Sequence, residues 1–176
     1  MTDIFVTGNS EDTEMEKLIK NRLARNYTVT YINHDSFTES GKGYNLIVMD
    51  SRSPLINARG GVLLMKEDGD VPKELPADIT AIINADNKTQ LESAMQQGIR
   101  TITCGLGTTA TISFSSETEE KLTVSLNRGI TALSGKNIEP LEIPIEKEQF
   151  GKYSLMSFAA LRLLLDDFDS ELGKLI

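Results

Sequence analysis

The residues with the clearest chemical potential lie in segment 4–23, where an apolar run, a polar turn and apolar residues at helical spacing follow one another. A strand, turn and helix in this order direct backbone N–H groups and a helix N-terminus to one point, where doubly wound folds bind phosphate. The usual phosphate-binding pattern is G-x-x-x-x-G-K-[ST]. Gly8 is present in the turn and Thr13 stands at the Ser/Thr position, but Glu11 and Asp12 stand at the second glycine and the lysine.

The turn carries negative charge at the position where a phosphate-binding loop carries a positive charge. A carboxylate 4 Å from a phosphate charge repels it by about 1 kcal/mol in water and by about 4 kcal/mol at an effective dielectric constant of 20. We therefore expect Glu11, Asp12 and Glu14 to stabilise the N-terminus of a helix that begins near Ser10, in place of a bound anion. None of the four Gly-Lys pairs is followed by Ser or Thr, so no lysine of this motif is predicted elsewhere.

A second group of polar residues follows two presumed strands. Asp50 ends the apolar run 46–49, and Asn84 and Asp86 end the run 79–83. The carboxyl ends of strands in an open α/β sheet face the ligand crevice, and a carboxylate there can hold Mg²⁺. Such residues also cap loops and turns without binding anything, and both interpretations stay open at this point.

Three further patterns favour ordinary structure over chemistry. Residues 105–110 match G-x-G-x-x-[GA], but a strand-like stretch rather than a helix follows, so we predict a turn. The side chains of His34, Asp35 and Ser36 are contiguous and cannot align as a catalytic triad, which predicts a polar turn. Cys104 ends an apolar run and is expected to be a buried hydrophobic residue. One cysteine and one histidine also exclude a disulfide framework and the usual Cys/His zinc sites.

Continuous apolar runs at 46–49 and 62–65, with similar β-branched segments at 79–83 and 100–104, predict strands that are covered on both faces, as in a parallel sheet. Between the last two runs, Asn87 and Gln90 fit a capping box, Leu91, Ala94 and Met95 share a helical face, and Gly98 ends the helix. Residues 79–104 therefore predict a βαβ unit.

The pattern of polar and apolar residues changes after residue 104. Segments 108–115 and 121–126 alternate polar and apolar residues, segment 138–145 is extended between prolines, and segment 153–168 has a wide apolar helical face. The predicted fold class is α/β: a doubly wound, mostly parallel sheet flanked by helices, with a small antiparallel β extension. We predict one domain over 1–176, with a parallel part (1–105), the extension (106–150) and a C-terminal helix that packs back (151–176). Segment 71–76 is the expected flexible connection.

Charge and composition limit the partners. The chain has 176 residues, with 18 Lys and Arg against 26 Asp and Glu, which gives a formal net charge of −8. This charge disfavours nucleic acid and anionic membranes as partners. The apolar runs are far shorter than the roughly 20 residues of a membrane span, and the first residues lack a basic signal-peptide start. The expected location is the cytoplasm.

Taken in order, several segments resemble the central, ATP-binding domain of the Mur ligase family, which adds amino acids to peptidoglycan precursors. Residues 6–13 (VTGNSEDT) resemble that family's V-T-G-T-N-G-K-T loop. Residues 46–53 resemble the strand that ends in a metal-binding acid, with Asp50 in its place. Residues 82–86 (IINAD) resemble V-x-N-A-D-D, residues 98–105 resemble the strand that ends in glycine, and residues 151–160 resemble the G-x-H-N-x-x-N-A-L-A-A helix start.

The departures from the family pattern concern its chemistry. Asp12 and Glu11 replace the lysine and glycine of the loop, Tyr153 and Ser154 replace the His-Asn pair, and Ser157 replaces the asparagine that contacts adenine in the family. No counterpart of the metal-binding histidine or of the modified lysine is present. The resemblance implies the following candidate ligand-binding residues: Gly8, Asn9, Ser10, Thr13, Asp50, Asn84, Asp86 and Ser157, with Asp50 also the candidate metal ligand.

Phosphoryl activation depends on positioning and charge neutralisation, so these losses predict a fold kept without its catalysis. The leading hypothesis is a catalytically inactive binding or interaction protein with an unknown protein or small-molecule partner, no cofactor and a link to cell-wall precursor metabolism inherited from the resemblance. One alternative is a component of an ATP-dependent amide ligase that uses ATP and Mg²⁺ and borrows groups from a partner chain. Another is an oligomeric scaffold formed by copies of this chain.

Overall fold

A computed structural model describes residues 1–52, 55–119, 121–146 and 149–167. Most of its strands form one ten-stranded sheet, and β10 and β11 form a separate two-stranded sheet. The strands are β1 (Thr2–Thr7), β2 (Tyr27–Ile32), β3 (Phe37–Gly41), β4 (Tyr44–Ser51), β5 (Gly61–Met65), β6 (Ile79–Asn84), β7 (Arg100–Gly105), β8 (Ile112–Glu117), β9 (Lys121–Leu126), β10 (Ile130–Thr131), β11 (Asn137–Ile138) and β12 (Leu141–Glu146). The helices are α1 (Glu14–Arg22), α2 (Lys88–Gln97) and α3 (Lys152–Leu164), with a short 3₁₀ turn (Leu23–Arg25) after α1.

The large sheet has the strand order β12-β9-β8-β7-β6-β5-β1-β4-β2-β3. Strands β2, β4, β1, β5, β6, β7 and β8 run parallel to their neighbours in this order, while β3, β9 and β12 pair antiparallel. This arrangement confirms the predicted α/β fold with a mostly parallel sheet. The predicted antiparallel extension continues the same sheet, because β8 pairs with β7 on one side and with β9 on the other. Pro144 is tolerated in β12 because this strand lies at the sheet edge.

The two faces of the sheet carry separate cores, and each is covered by helices. Helices α1 and α3 pack on one face through residues such as Leu18 and Phe158, while α2 packs on the other through Ala94. Strands β5 and β6 are buried on both faces, from Val62 to Met65 and along all of β6, as their continuous apolar sequence predicts. Helix α3 is buried from Tyr153 to Leu164, all round its axis, which places it inside the molecule rather than on its surface.

Local predictions are confirmed in part. Helix α2 lies in the predicted βαβ unit and ends at Gly98, which has a φ of +61°. Met95 is 73 % exposed, so it does not share the buried face of Ala94. Helix α1 begins at Glu14 and not near Ser10, because residues 8–13 form a tight turn instead. Helix α3 ends at Leu164, four residues before the predicted end at Phe168, which lies outside the described residues.

Segment 71–76, predicted as a flexible connection, is packed against the α2 face. Val71 is buried in that core, Leu75 packs against it, and the Gln97 side-chain amide donates to the Pro72 carbonyl at 2.8 Å. Strand β3 was not predicted, because all five of its residues are exposed and its sequence has no apolar pattern. It pairs with β2 at the edge of the sheet, and no other strand of the described residues lies beside it.

Candidate functional site

The loop that follows β1 lies at the carboxyl edge of the parallel strands, where the sequence predicts a ligand site. Gly8 has a φ of +141°, and a Cβ atom there would lie 2.6 Å from the Cβ of Lys66. Only glycine therefore allows the loop to pass this close to the end of β5. The chain packs Lys66, which is 57 positions from Asn9 in sequence, directly under the loop.

Lys66, which no sequence motif marks, lies at the centre of this site. Its ammonium group donates to the Asn9 carbonyl at 3.0 Å and to Asp50 Oδ2 at 3.0 Å, and its side chain is 2 % exposed. Tyr31 donates its hydroxyl to the same Asp50 oxygen at 2.7 Å. Burial, followed by the charge of Asp50, raises the pKa of the Tyr31 hydroxyl far above its usual value. One carboxylate oxygen of β4 thus receives a donor from the adjacent strand β2 and a second donor from the residue that follows β5, two strands away.

Three backbone N–H groups of the loop donate hydrogen bonds within the loop itself, two to side chains and one to a backbone carbonyl. Asn9 Oδ1 accepts the Glu11 N–H at 3.0 Å, the Asn9 carbonyl accepts the Asp12 N–H at 3.2 Å, and Asp12 Oδ1 accepts the Glu14 N–H at 3.0 Å. Thr13 stands at the N-cap of α1 without a side-chain hydrogen bond to the helix. The expectation that acids satisfy this helix start is met by Asp12. Glu14 instead accepts the Gly151 N–H at 2.9 Å, which joins α1 to the start of α3.

Asn84 and Asp86 act as turn caps in the structure. Asn84 Oδ1 accepts the Asp86 N–H at 2.9 Å, and Asp86 Oδ2 accepts the Leu106 N–H at 2.8 Å. Asn87 Oδ1 accepts the N–H groups of Thr89 and Gln90, which is half of the predicted capping box.

The side chain of Gln90 does not return to Asn87. Its Oε1 accepts the Asn84 N–H, and its Nε2 donates to the carbonyls of Lys66, Glu67 and Gly69. Gln90 therefore holds the segment that carries Lys66.

Ser157 does not reach a ligand-accessible surface. It is fully buried in α3, and its hydroxyl donates to the carbonyls of Tyr153 and Ser154 within the helix. Tyr153, one turn earlier, donates its hydroxyl to the Met65 carbonyl at 2.7 Å, so it fastens α3 to the end of β5. The structure thus brings Gly8, Asn9 and Asp50 together and separates Ser157 from them.

The three patterns assigned to ordinary structure behave as predicted. Residues 106–111 turn and lead into β8 without a helix. His34 to Ser36 form a turn in which Asn33 Oδ1 accepts the N–H groups of Asp35 and Ser36, and the hydrogen bond to Asp35 raises the pKa of His34. Cys104 is fully buried, and burial raises the pKa of its thiol.

A cleft of about 610 Å³ opens at the carboxyl ends of β2 and β4, beside the loop. Its wall combines apolar side chains with hydrogen-bonding groups: Ser10, Glu16, Ile32, Asn33, His34, Asp35, Met49, Asp50, Ser51 and Arg52. A smaller cavity of about 280 Å³ lies on the other side of Arg52, against Gly8 and Gly69. The larger cleft has a volume in the range of small-molecule sites.

While Lys66 is in place, the donor set at Asp50 does not fit a magnesium ion. A divalent cation needs several oxygen ligands, and Asp50 Oδ2 already faces the Lys66 ammonium. No group of three metal-binding side chains occurs among the residues that the structure describes. Magnesium would therefore have to displace a buried lysine before it could reach this oxygen.

No protein-family model and no curated protein matches the chain. Solved structures do match over nearly its whole length. They include the MurF ligase of Thermotoga maritima in complex with ADP (TM-score 0.57, 15 % identity, 94 % of this chain and 45 % of that one). A UDP-N-acetylmuramoyl-L-alanyl-D-glutamate–2,6-diaminopimelate ligase matches with a TM-score of 0.57 and 13 % identity, over 100 % of this chain and 46 % of that one. FolC of E. coli in complex with DHPP and ADP matches with a TM-score of 0.60 and 11 % identity, over 99 % of this chain and 57 % of that one.

These likenesses show the fold, which is that of the Mur ligase central domain. The chain spans about half the length of these solved structures. Within the described residues, no helix is both long enough and apolar enough to cross a membrane.

Proposed function

We propose that this chain is a non-catalytic binding domain on the Mur ligase fold, whose loop after β1 does not bind nucleotide phosphate. The observation that carries this proposal is the set of hydrogen bonds inside the loop. The N–H groups of Glu11, Asp12 and Glu14 are the kind of donors that a phosphate would need, and Asn9 and Asp12 already accept them. A phosphate would have to break these bonds before it formed its own.

The charges around the loop support the same conclusion. Burial raises the pKa of Glu67, and the nearby carboxylates of Asp68, Glu14 and Asp12 raise it further. The second of these causes shows that several carboxylates lie close to one another beside the loop. The cation under the loop, Lys66, is already paired with Asp50. Phosphate binding would therefore be opposed by charge as well as by hydrogen bonding.

The binding surface that we propose is the 610 Å³ cleft beside the loop. Arg52, at its rim, makes no ion pair with the residues that the structure describes, so it is available to an anionic group of a ligand. The carboxylate of Asp35 lies along the same wall. A small polar molecule that carries both an oxyanion and hydrogen-bond donors complements this lining.

Calorimetric titration with ATP and Mg²⁺ tests the first half of the proposal. We expect no binding at millimolar nucleotide. The variant Asp12→Asn serves as a control, because it removes one charge and keeps the oxygen that accepts the Glu14 N–H. If Asp12→Asn also fails to bind, the hydrogen-bonded loop is sufficient to exclude phosphate. Micromolar affinity in the unmodified chain that is lost on Thr13→Ala would contradict the proposal.

The link to cell-wall precursor metabolism is tested with the substrate contained in one neighbour's name. We expect UDP-N-acetylmuramoyl-L-alanyl-D-glutamate to bind in the cleft and Arg52→Ala to weaken the binding about tenfold, as for the loss of one charge-assisted hydrogen bond. Arg59→Ala is the matched control, since Arg59 does not line the cleft. No binding, or equal binding by Arg52→Ala, would reject this ligand at this site.

A second candidate function is a component of an ATP-dependent amide ligase, and Lys66 is the observation that favours it. The ammonium of Lys66 lies 3.0 Å from a loop carbonyl, so the chain supplies a cation to the loop from a neighbouring strand. This function requires ATP affinity that disappears in Lys66→Met while the fold, followed by circular dichroism, remains. The same calorimetric titration separates the two candidates.

A further inference from the structure

The oxygen atoms around Lys66 resemble the surroundings of a bound cation. The ammonium lies 3.0 Å from Asp50 Oδ2, at the end of β4, and 3.0 Å from the Asn9 carbonyl, in the loop after β1. The Lys66 backbone itself continues from β5. One positive charge thus connects three neighbouring segments of the carboxyl edge through oxygen atoms only.

The lysine is held in place along its whole length. Its N–H donates to the Thr7 carbonyl at 2.8 Å, and its carbonyl accepts from Gln90 Nε2 at 2.9 Å. The aliphatic stem passes over Gly8, where an added Cβ would lie within 3.2 Å of Lys66 Cγ and Cδ. With a side-chain exposure of 2 %, the charge cannot turn outward without opening the loop.

We propose that the Lys66 ammonium takes the place of a divalent cation at this edge of the sheet. Asp50 then has a counter-ion that belongs to the chain itself, and the edge needs no metal ion. The charge neutralises a carboxylate that is only 9 % exposed and fixes the loop carbonyl of Asn9. This proposal goes beyond the proposed function and does not depend on it, because it concerns the ion at Asp50 and not the ligand of the cleft.

Replacing the lysine tests the idea, since a smaller side chain would leave the oxygen atoms to a metal. In Lys66→Ala we expect the melting temperature to fall by roughly 10 °C, since a buried ion pair loses one partner. In this variant, 10 mM MgCl₂ or CaCl₂ should restore roughly 3 °C or more at constant ionic strength. The unmodified protein should show no such gain.

Two control variants separate a metal effect from a general salt effect. Lys66→Met removes the charge and fills the space, so it should be destabilised without responding to either ion. The double variant Asp50→Asn with Lys66→Met removes both charges, and it should be more stable than Lys66→Met alone and equally unresponsive. If Lys66→Ala fails to gain stability with either ion, or gains no more than Lys66→Met, the proposal is wrong.

A measurement on the unmodified protein decides the matter even if Lys66→Ala does not fold. The buried ammonium protons of Lys66 should exchange slowly enough to be observed by NMR with ¹⁵N-labelled lysine, and 10 mM MgCl₂ should leave their signal unchanged. Loss or displacement of that signal by Mg²⁺, with no change in the signal of the exposed Lys88, would show that the metal takes the site and would overturn the proposal.

Discussion

The hydroxyl of Tyr31 places a neutral donor beside a buried charge, and this donor can be removed without changing the shape of the core. Tyr31→Phe deletes the 2.7 Å hydrogen bond to Asp50 and leaves Lys66 as the donor to that oxygen. We expect the free energy of unfolding to fall by about 1–3 kcal/mol, as for a hydrogen bond to a charged group. Urea unfolding measures it. Tyr27→Phe is the matched control, since no hydrogen bond of the Tyr27 hydroxyl is described, and a loss of equal size there would contradict the assignment.

Gly8 allows the loop to lie on Lys66, and a methyl group tests that contact. Gly8→Ala would place Cβ 2.6 Å from Lys66 Cβ and force a φ of +141° on an alanine. We expect a loss of about 2–4 kcal/mol from the clash and the backbone strain together. Gly98→Ala is the control, because its φ is +61° and nothing lies within 4 Å, so only about 1 kcal/mol of strain applies. Comparable losses in both variants would show that the Lys66 contact adds nothing.

At the scale of elements, helix α2 organises the site from the far side of the sheet through one side chain. Gln90 is fully buried and forms hydrogen bonds with the backbone of Asn84, Lys66, Glu67 and Gly69. Gln90→Ala removes the hydrogen bonds to the Asn84 N–H and the Gly69 carbonyl, and we expect a loss of about 2–4 kcal/mol. The Lys66 carbonyl still accepts the Gly69 N–H, and the Glu67 carbonyl still accepts the Asn87 side-chain amide. Hydrogen exchange should rise in residues 66–70 before it rises in β6. Gln96→Ala, at an exposed position of the same helix, should change neither quantity.

Sequence patterns predicted the elements whose residues are buried continuously or at a regular spacing. They failed for an element whose residues are all exposed, because such an element has no apolar pattern. The run of β6 is buried at every position and was found, whereas β3 is exposed at every position and was missed. In the candidate site, Gly8, Asn9 and Asp50 were identified from strand ends. Lys66 was not, because its partners are 57 and 16 positions away and its packing depends on the sheet order. Ser157 was included through the family motif, although its hydroxyl bonds within its own helix.

Across the whole molecule, protons are held more tightly by buried groups than by the unfolded chain at alkaline pH. Burial raises the pKa of Tyr27 to about 12 and raises those of Tyr31, Tyr153 and Cys104 well above their usual values. Because the unfolded chain loses these protons near its ordinary pKa values and the folded chain does not, the unfolded state binds fewer protons above about pH 9. The stability that these four raised pKa values contribute is therefore fully present below about pH 9 and is lost as the pH rises above it.

We expect the free energy of unfolding to decrease between pH 9 and pH 11 by about 1.4 kcal/mol per pH unit for each buried group that ionises only on unfolding. Urea unfolding at half-unit pH steps measures the slope. Tyr31→Phe removes one of these groups, so its curve should be shallower than that of the unmodified protein by about one group, although its stability at pH 7 is lower. A parallel pair of curves would mean that the Tyr31 proton is released equally in both states, contrary to the burial of its hydroxyl against Asp50.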